Sequence, residues 1–208
     1  MAFTLPRLYA ITDTRLSRLT HAEQVERLAA GGATLVQLRD KHASPRELYE
    51  AACEAVQVAR ALGVRLIIND RVDIALAVDA DGVHLGQDDL PPERARALLG
   101  PQRILGYSTH NVKQALEADS TPVDYIAVGP VFQTTTKANP DPVVGYELIA
   151  ELKPRLTHPL VAIGGITLES APAVIAAGAD SVAIISDLYT GGDIAAQVRQ
   201  YLQRLGAI

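Results

Sequence analysis

Three polar side chains stand two residues apart at the end of an apolar run, Gln37, Arg39 and Lys41 in Leu35-Val-Gln-Leu-Arg-Asp-Lys41. Extended backbone sends alternate side chains to opposite faces, so these three share one face while Leu38 and Asp40 take the other. Two cations held together repel unless an anion lies between them, and guanidinium and ammonium donors suit phosphate oxygens. The predicted chemistry is recognition of an anionic, phosphorylated ligand; the competing reading is a strand end whose basic groups are solvated or paired with Asp40. Carboxylates come next, at Asn69-Asp70 and at Asp89. On neighbouring strand ends they would lie about 5 Å apart before side-chain reach is counted, close enough to share one ion. Oxygen ligands completed by water and a substrate phosphate suit Mg²⁺, whereas zinc would draw on His or Cys. Asp88 competes with Asp89 for this place, and either aspartate at such a position also serves as a helix cap.

A third constellation is Ala162-Ile-Gly-Gly-Ile-Thr167, in which bare backbone amides precede a helix start. Such amides at the positive end of a helix dipole bind phosphate, although a Gly pair also serves a tight turn by itself. Among the histidines, His84 and His110 are placed near these groups; both read as structural, with His110 the better catalytic candidate. His21, His42 and His158 read as solvated.

Positioning these residues requires repeated strand-helix units. Short β-branched runs alternate with longer Ala-rich amphipathic segments, which predicts a parallel sheet of βα repeats. Strands are expected at 7–12, 35–39, 65–69, 82–85, 103–107, 125–128, 160–163 and 181–185. Thr20 with Glu23, and Ser44 with Glu47, have the spacing of capping boxes, opening helices that run to about Gly31 and Gly63. Further helices are expected over about 72–78, from Pro91-Pro92 to Gly100, after a cap at Asn111, over about 146–155, after a cap at Thr167, and over about 193–205. Eight such units predict a single-domain α/β fold, a (β/α)8 TIM barrel spanning residues 1–208, in which reactive residues gather at the C-terminal strand ends. The groups after each strand fit that rule: Thr12-Asp13, Arg39 and Lys41, Asn69-Asp70, Gln87-Asp88-Asp89, Ser108 to His110, Lys137, Gly164-Gly165, and Ser186-Asp187. One connection, residues 129–144, is long and polar and contains Thr134, Thr135, Thr136 and Lys137; its length predicts a lid.

Composition bounds the partners. At 208 residues and 48% apolar content the chain buries one substantial core. A net charge of -5 gives no support to nucleic acid or an anionic membrane, so the basic residues act locally. Cys53 is the single cysteine, which excludes an internal disulfide, and its Ala-rich neighbours predict a buried helix face. The first residues lack a signal-peptide pattern and no apolar run is long enough to span a bilayer, so a cytoplasmic protein acting on small molecules is expected. Oligomeric state is not legible. Two anion sites on one barrel mouth, one with a metal, point to group transfer with loss of diphosphate, in which Mg²⁺, Arg39 and Lys41 neutralise the departing charge.

Taken together, Gln37-x-Arg39-x-Lys41, Asn69-Asp70, the run from Asp81 through His84 to Asp88-Asp89, the run from Gly129-Pro130 through Thr134 and Thr136 to Lys137, and Ile163-Gly-Gly-Ile166 resemble the thiamin phosphate synthase family over about residues 8–205. Five short motifs in the right order are strong where each alone is weak. The resemblance implies joining of an aminopyrimidine methyl diphosphate to a hydroxyethylthiazole phosphate on a (β/α)8 barrel with Mg²⁺, the diphosphate leaving before the thiazole nitrogen captures a methylene cation. It further implies that Gln37, Arg39, Lys41, Asn69, Ser108 and Lys137 hold the pyrimidine diphosphate, with Arg39, Lys41, Ser108 and Lys137 as the catalytic set. By the same resemblance Asp70 and Asp89 hold the metal, while Thr134, Thr135, Thr136, Gly165, Ile185 and Ser186 hold the thiazole phosphate. Two departures stand out: Asp187, a negative charge beside the expected thiazole phosphate unless its side chain turns away, and the proline-rich stretch 138–143. Three rivals share parts of this pattern. A thiazole tautomerase would lack the paired aspartates, a phosphate-ligand sensor would keep the barrel without chemistry, and a sugar-phosphate isomerase or decarboxylase would have no need of Thr134 to Lys137.

Overall fold

The computed structural model describes residues 3–134 and 142–208. Eight parallel strands close into a barrel: β1 (Leu8–Ile11), β2 (Leu35–Leu38), β3 (Arg65–Asn69), β4 (Gly82–Leu85), β5 (Ile104–Thr109), β6 (Tyr125–Val128), β7 (Leu160–Ile163) and β8 (Ser181–Ile184). Each pairs with its sequence neighbour, and β8 returns to β1 through Leu8–Val182 and Ala10–Ile184. Around them lie α1 (Thr14–Ser17), α2 (His21–Ala30), α3 (Pro45–Leu62), α4 (Val72–Ala77), α5 (Pro92–Leu99), α6 (Val112–Asp119), α7 (Gly145–Leu152), α8 (Ala171–Ala176) and α9 (Ile194–Arg204). The fold is the expected α/β barrel.

Side-chain alternation divides the core in two. Leu8, Ala10, Val36, Leu38, Leu66 and Ile68 pack outward against the helices, while Tyr9, Ile11, Leu35, Ile67, Ile104, Tyr125 and Val161 fill the interior. A parallel strand covered on both faces needs this near-continuous apolar run. Gly106 makes room inside: a Cβ there would come within 2.1 Å of the Tyr125 ring. Phe3 approaches the same ring from below, with centroids 6.3 Å apart.

Both capping boxes form as spaced, Thr20 with Glu23 and Ser44 with Glu47, each side chain meeting the other residue's amide. Three acidic residues repeat one device at the N-terminal end of the barrel. The carboxylates of Asp81, Asp124 and Asp180 accept from Leu66 N, Leu105 N and Leu160 N at 2.8, 2.7 and 2.8 Å. Each therefore satisfies an amide at the start of the preceding strand, and Arg96 and Lys153 pair with Asp124 and Asp180.

Several expectations need correction. Thr167 does not cap a helix; it exchanges turn hydrogen bonds with Ser170, and α8 begins at Ala171 because Pro172, which has no N–H, is accommodated only in a first turn. The expected helix over 146–155 ends at Leu152 and tightens into a 3₁₀ turn, Lys153–Arg155, around Pro154. β5 extends to Thr109, which puts Ser108 inside the strand. His21 is buried rather than solvated, its Nδ1 2.7 Å from Thr12 Oγ1 and its Nε2 3.7 Å from Asp40. His158 is half-buried against Asp119, and Cys53 is half-buried rather than enclosed. The one-turn helix α1, capped by Asp13, is too short to leave a periodic signal.

Candidate active site

The C-terminal strand ends open into one cavity of about 460 Å³. Gln37, Arg39, Lys41, Asn69, Asp70, Asp89, Ser108, Thr134, Gly165, Ile185 and Ser186 all line it, as do His84 and His110. Every site residue expected from the sequence and lying among the described residues reaches this one mouth. Thr135, Thr136 and Lys137 lie outside the described residues.

Asp70 owes its position to its backbone. Its amide extends the ladder to His84 O at 2.8 Å, and then φ swings to 62° while Arg71 N bonds back to Asn69 O at 2.8 Å. A hydrogen bond two residues back around a positive φ is a strained γ-turn, which Asp tolerates better than most residues. The turn breaks the strand and presents the carboxylate to Lys41 Nζ, with which it pairs. Asp89 is placed differently: Gly86 N donates to its Oδ2 at 2.7 Å, and Asp70 acts on it as a neighbouring like charge. Burial and then the Asp70 charge raise the Asp89 carboxyl above the usual range, against the pull of the Gly86 amide and Lys41. Asp88 is exposed on the same rim.

Two carboxylates crowded together beside a single ammonium are under-compensated. That donor set, all oxygen and open to the cavity, fits a divalent cation of the Mg²⁺ type. Among the described residues no group of three or more His, Cys, Asp or Glu forms a closed metal cage. A site of two carboxylates fits an ion that leaves its other positions to water and ligand oxygens.

The opposite wall is built from backbone. Gly164 and Gly165 have φ of 102° and 64°, and a Cβ on Gly165 would come within 2.3 Å of Gln133 O. Val131 N and Phe132 N donate to Ile163 O and Gly164 O, both at 2.9 Å, so residues 129–133 lie against the glycine turn, beginning at a cis Gly129-Pro130 bond. The Gly pair is thus required for close packing and also lines the cavity, beside Ile185 and Ser186. Asp187 turns away from it. Its carboxylate accepts from Leu168 N at 3.0 Å and Tyr201 Oη at 2.5 Å, and Gln197 Nε2 lies at 3.2 Å, so the expected conflict with a nearby phosphate does not arise.

Under the cavity floor runs a polar chain that the motifs do not reveal. Gln37 Nε2 donates to Tyr9 Oη at 2.9 Å, Tyr9 Oη lies 2.9 Å from Tyr125 Oη, and His84 bridges Tyr125 Oη at 2.9 Å and Ser108 Oγ at 2.8 Å. His84 stacks on Tyr125 at 5.6 Å, and burial lowers its pKa to about 4. The alternation of β1 and β6 alone flags Tyr9 and Tyr125, two inward tyrosines whose hydroxyls need partners. His110 directs Nδ1 to Gly129 O at 2.7 Å, which ties the end of β5 to the next loop.

Comparison with known proteins bears on the family and the fold. The family model for thiamine monophosphate synthase matches residues 8–188. The thiamine-phosphate synthase of Chloroflexus aurantiacus is 47% identical over 195 residues, covering 93% of this chain and 90% of that protein. That of Koribacter versatilis is 50% identical over 193 residues, covering 88% and 89%. The solved thiamine phosphate pyrophosphorylase from Pyrococcus furiosus superposes with a TM-score of 0.87 at 37% identity, covering 97% of this chain and 96% of that one. With its closed eight-stranded barrel and one polar mouth, the chain belongs to the thiamine monophosphate synthase family.

Proposed function

We propose that this enzyme is a transferase that joins 4-amino-2-methyl-5-pyrimidinylmethyl diphosphate to a hydroxyethylthiazole phosphate, yielding thiamin phosphate and diphosphate. The observation that carries the reading is the convergence of Asp70 and Asp89 with Lys41 and Arg39 on one side of the mouth, facing a glycine turn on the other. One wall provides charge for a leaving diphosphate; the other provides backbone amides for a monophosphate.

Arg39 and Lys41 bind the diphosphate as donors and hold it as its negative charge grows. Gln37 and Asn69, at the inner edge, orient the pyrimidine end, and the Ser108 hydroxyl donates to the diphosphate. Asp70 and Asp89 would hold Mg²⁺, which when bound offsets the charge of the departing diphosphate. Gly165, Ile185 and Ser186, with Thr134, seat the thiazole phosphate so that its ring nitrogen faces the pyrimidine methylene; by the family resemblance Thr135 and Thr136 are further ligands of that phosphate, and Lys137 is a further ligand of the diphosphate. Departure of diphosphate leaves a methylene cation stabilised by the electron-rich aminopyrimidine, and the thiazole nitrogen, held facing it, captures it. No base is required to form the new carbon–nitrogen bond.

The test is to mix both substrates with the purified protein and Mg²⁺ and to measure thiamin phosphate and diphosphate together. Equal yields of the two, lost on adding a chelator and restored by Mg²⁺, are expected. Binding of the thiazole phosphate with no diphosphate released would overturn the transferase in favour of a tautomerase or a sensor.

A further inference from the structure

We propose that Gln37, Tyr9, Tyr125 and His84 form a hydrogen-bond relay of fixed polarity that sets Ser108 as a hydroxyl donor into the cavity, making Tyr9 and Tyr125 positioning residues for the reaction. The inference deepens the proposed function and rests on it for the identity of the substrate anion, though not for the polarity of the chain.

Polarity follows from the Gln37 end. Its Nε2 has hydrogens only to give, so Tyr9 Oη accepts there, and the Tyr9 hydrogen goes to its other neighbour, Tyr125 Oη. Tyr125 Oη is then an acceptor from Tyr9, and its own hydrogen goes to His84 Nδ1. An Nδ1 that accepts leaves the imidazole proton on Nε2, which donates to Ser108 Oγ. Ser108 receives a hydrogen bond from below and gives its own hydrogen upward, toward a ligand oxygen. Run the other way, the chain would leave the Tyr9 hydroxyl hydrogen without an acceptor at a site 1% exposed. Packing holds the two tyrosine rings in place, since Tyr9 meets Tyr125 edge to face at 5.8 Å and Gly106 clears the space that Tyr125 occupies. Lys41 and Asp70 are the charged groups that act on His84, with opposite effects, and neither replaces a link of the chain.

Nitrogen-15 NMR of protein labelled in histidine tests this without substrate, the His84 signals being assigned by their loss in His84→Gln. The wild-type protein is expected to show His84 as the Nε2–H tautomer. Gln37→Glu replaces the terminal donor by an acceptor and should convert His84 to the Nδ1–H form. A wild-type Nδ1–H tautomer, or no change in Gln37→Glu, would overturn the polarity. For the catalytic consequence, Tyr125→Phe keeps the ring and removes the link. We expect kcat to fall about tenfold with KM for both substrates within about twofold, because the Ser108 donor matters most as leaving-group charge develops. If Tyr125 acts through Ser108, adding Tyr125→Phe to Ser108→Ala costs nothing further, whereas multiplied losses would refute a shared path. A wild-type protein that shows the expected tautomer but makes no thiamin phosphate would sink the proposed function and leave the relay standing.

Discussion

The two ends of the barrel use the same residue types to opposite purposes. At the N-terminal end Asp81, Asp124 and Asp180 each accept a strand amide, and Arg96 and Lys153 complete two of them. At the C-terminal end Asp70 and Asp89 face one another beside Lys41, and the Asp89 carboxyl titrates high. The three aspartates at the N-terminal end stand apart from one another and lower the energy of the fold, whereas Asp70 and Asp89, although Lys41 and the Gly86 amide offset part of the repulsion, crowd together, as perturbed carboxylates at functional sites do. This division matches the general rule for such barrels, in which one rim carries stability and the other chemistry.

The comparison breaks most visibly at the mouth. Asp70→Asn and Asp89→Asn are expected to lower turnover about a thousandfold, the scale of losing metal-assisted charge stabilisation. Their melting temperatures should equal or exceed that of the wild-type protein, since a repulsive pair is removed. A large fall in melting temperature with preserved turnover would place these residues with the aspartates of the other end.

Between the ends lies His84, which extends the contrast into the interior. Its pKa of about 4 is below the ordinary value of 6.5, so from about pH 6.5 down to 4 the unfolded chain takes up a proton that the folded chain refuses. Stability should rise with pH across that window, by on the order of 3 kcal/mol for this group. His84→Gln should flatten the acid side of a urea-unfolding series, and an unchanged slope would contradict the burial of a neutral imidazole.

At the N-terminal end, Asp124→Ala and Asp180→Ala should each destabilise by about 2 kcal/mol, because a strand amide and a basic side chain lose their partner together. The kinetic constants should not move. Smallest of all is the change at the backbone wall. Gly165→Ala introduces a Cβ against Gln133 O at a φ of 64° and should raise KM for the thiazole phosphate about tenfold, with the pyrimidine KM unaffected. Equal changes in both would show that the two walls do not divide the substrates.

The fold is legible because its signals are local and repeated. Eight apolar runs with helix starts between them define the barrel, and the Thr20 and Ser44 boxes form as their spacing requires. Arg39, Asp70 and Asp89 are legible as chemistry because charge at a strand end is unusual, and Gln37 because it shares a face with Arg39 and Lys41. What escapes depends on contacts between distant segments. Gln37 reads as a ligand-binding amide, and only the closed barrel shows that it also bonds Tyr9, 28 positions away. Asp187 looks like a flaw beside a phosphate until α9 supplies Tyr201 and Gln197. The late start of α8 reflects Pro172 overriding the pull of Thr167, a competition that cap spacing alone does not resolve.

The turn at Asp70 bears on how the protein should be dissected. Alanine scanning there would remove an oxygen donor and, in the same stroke, force a methyl-bearing residue into a left-handed geometry it resists. Glycine would delete the carboxylate while welcoming that geometry, so contrasting the two alleles separates a lost ligand from a buckled strand terminus.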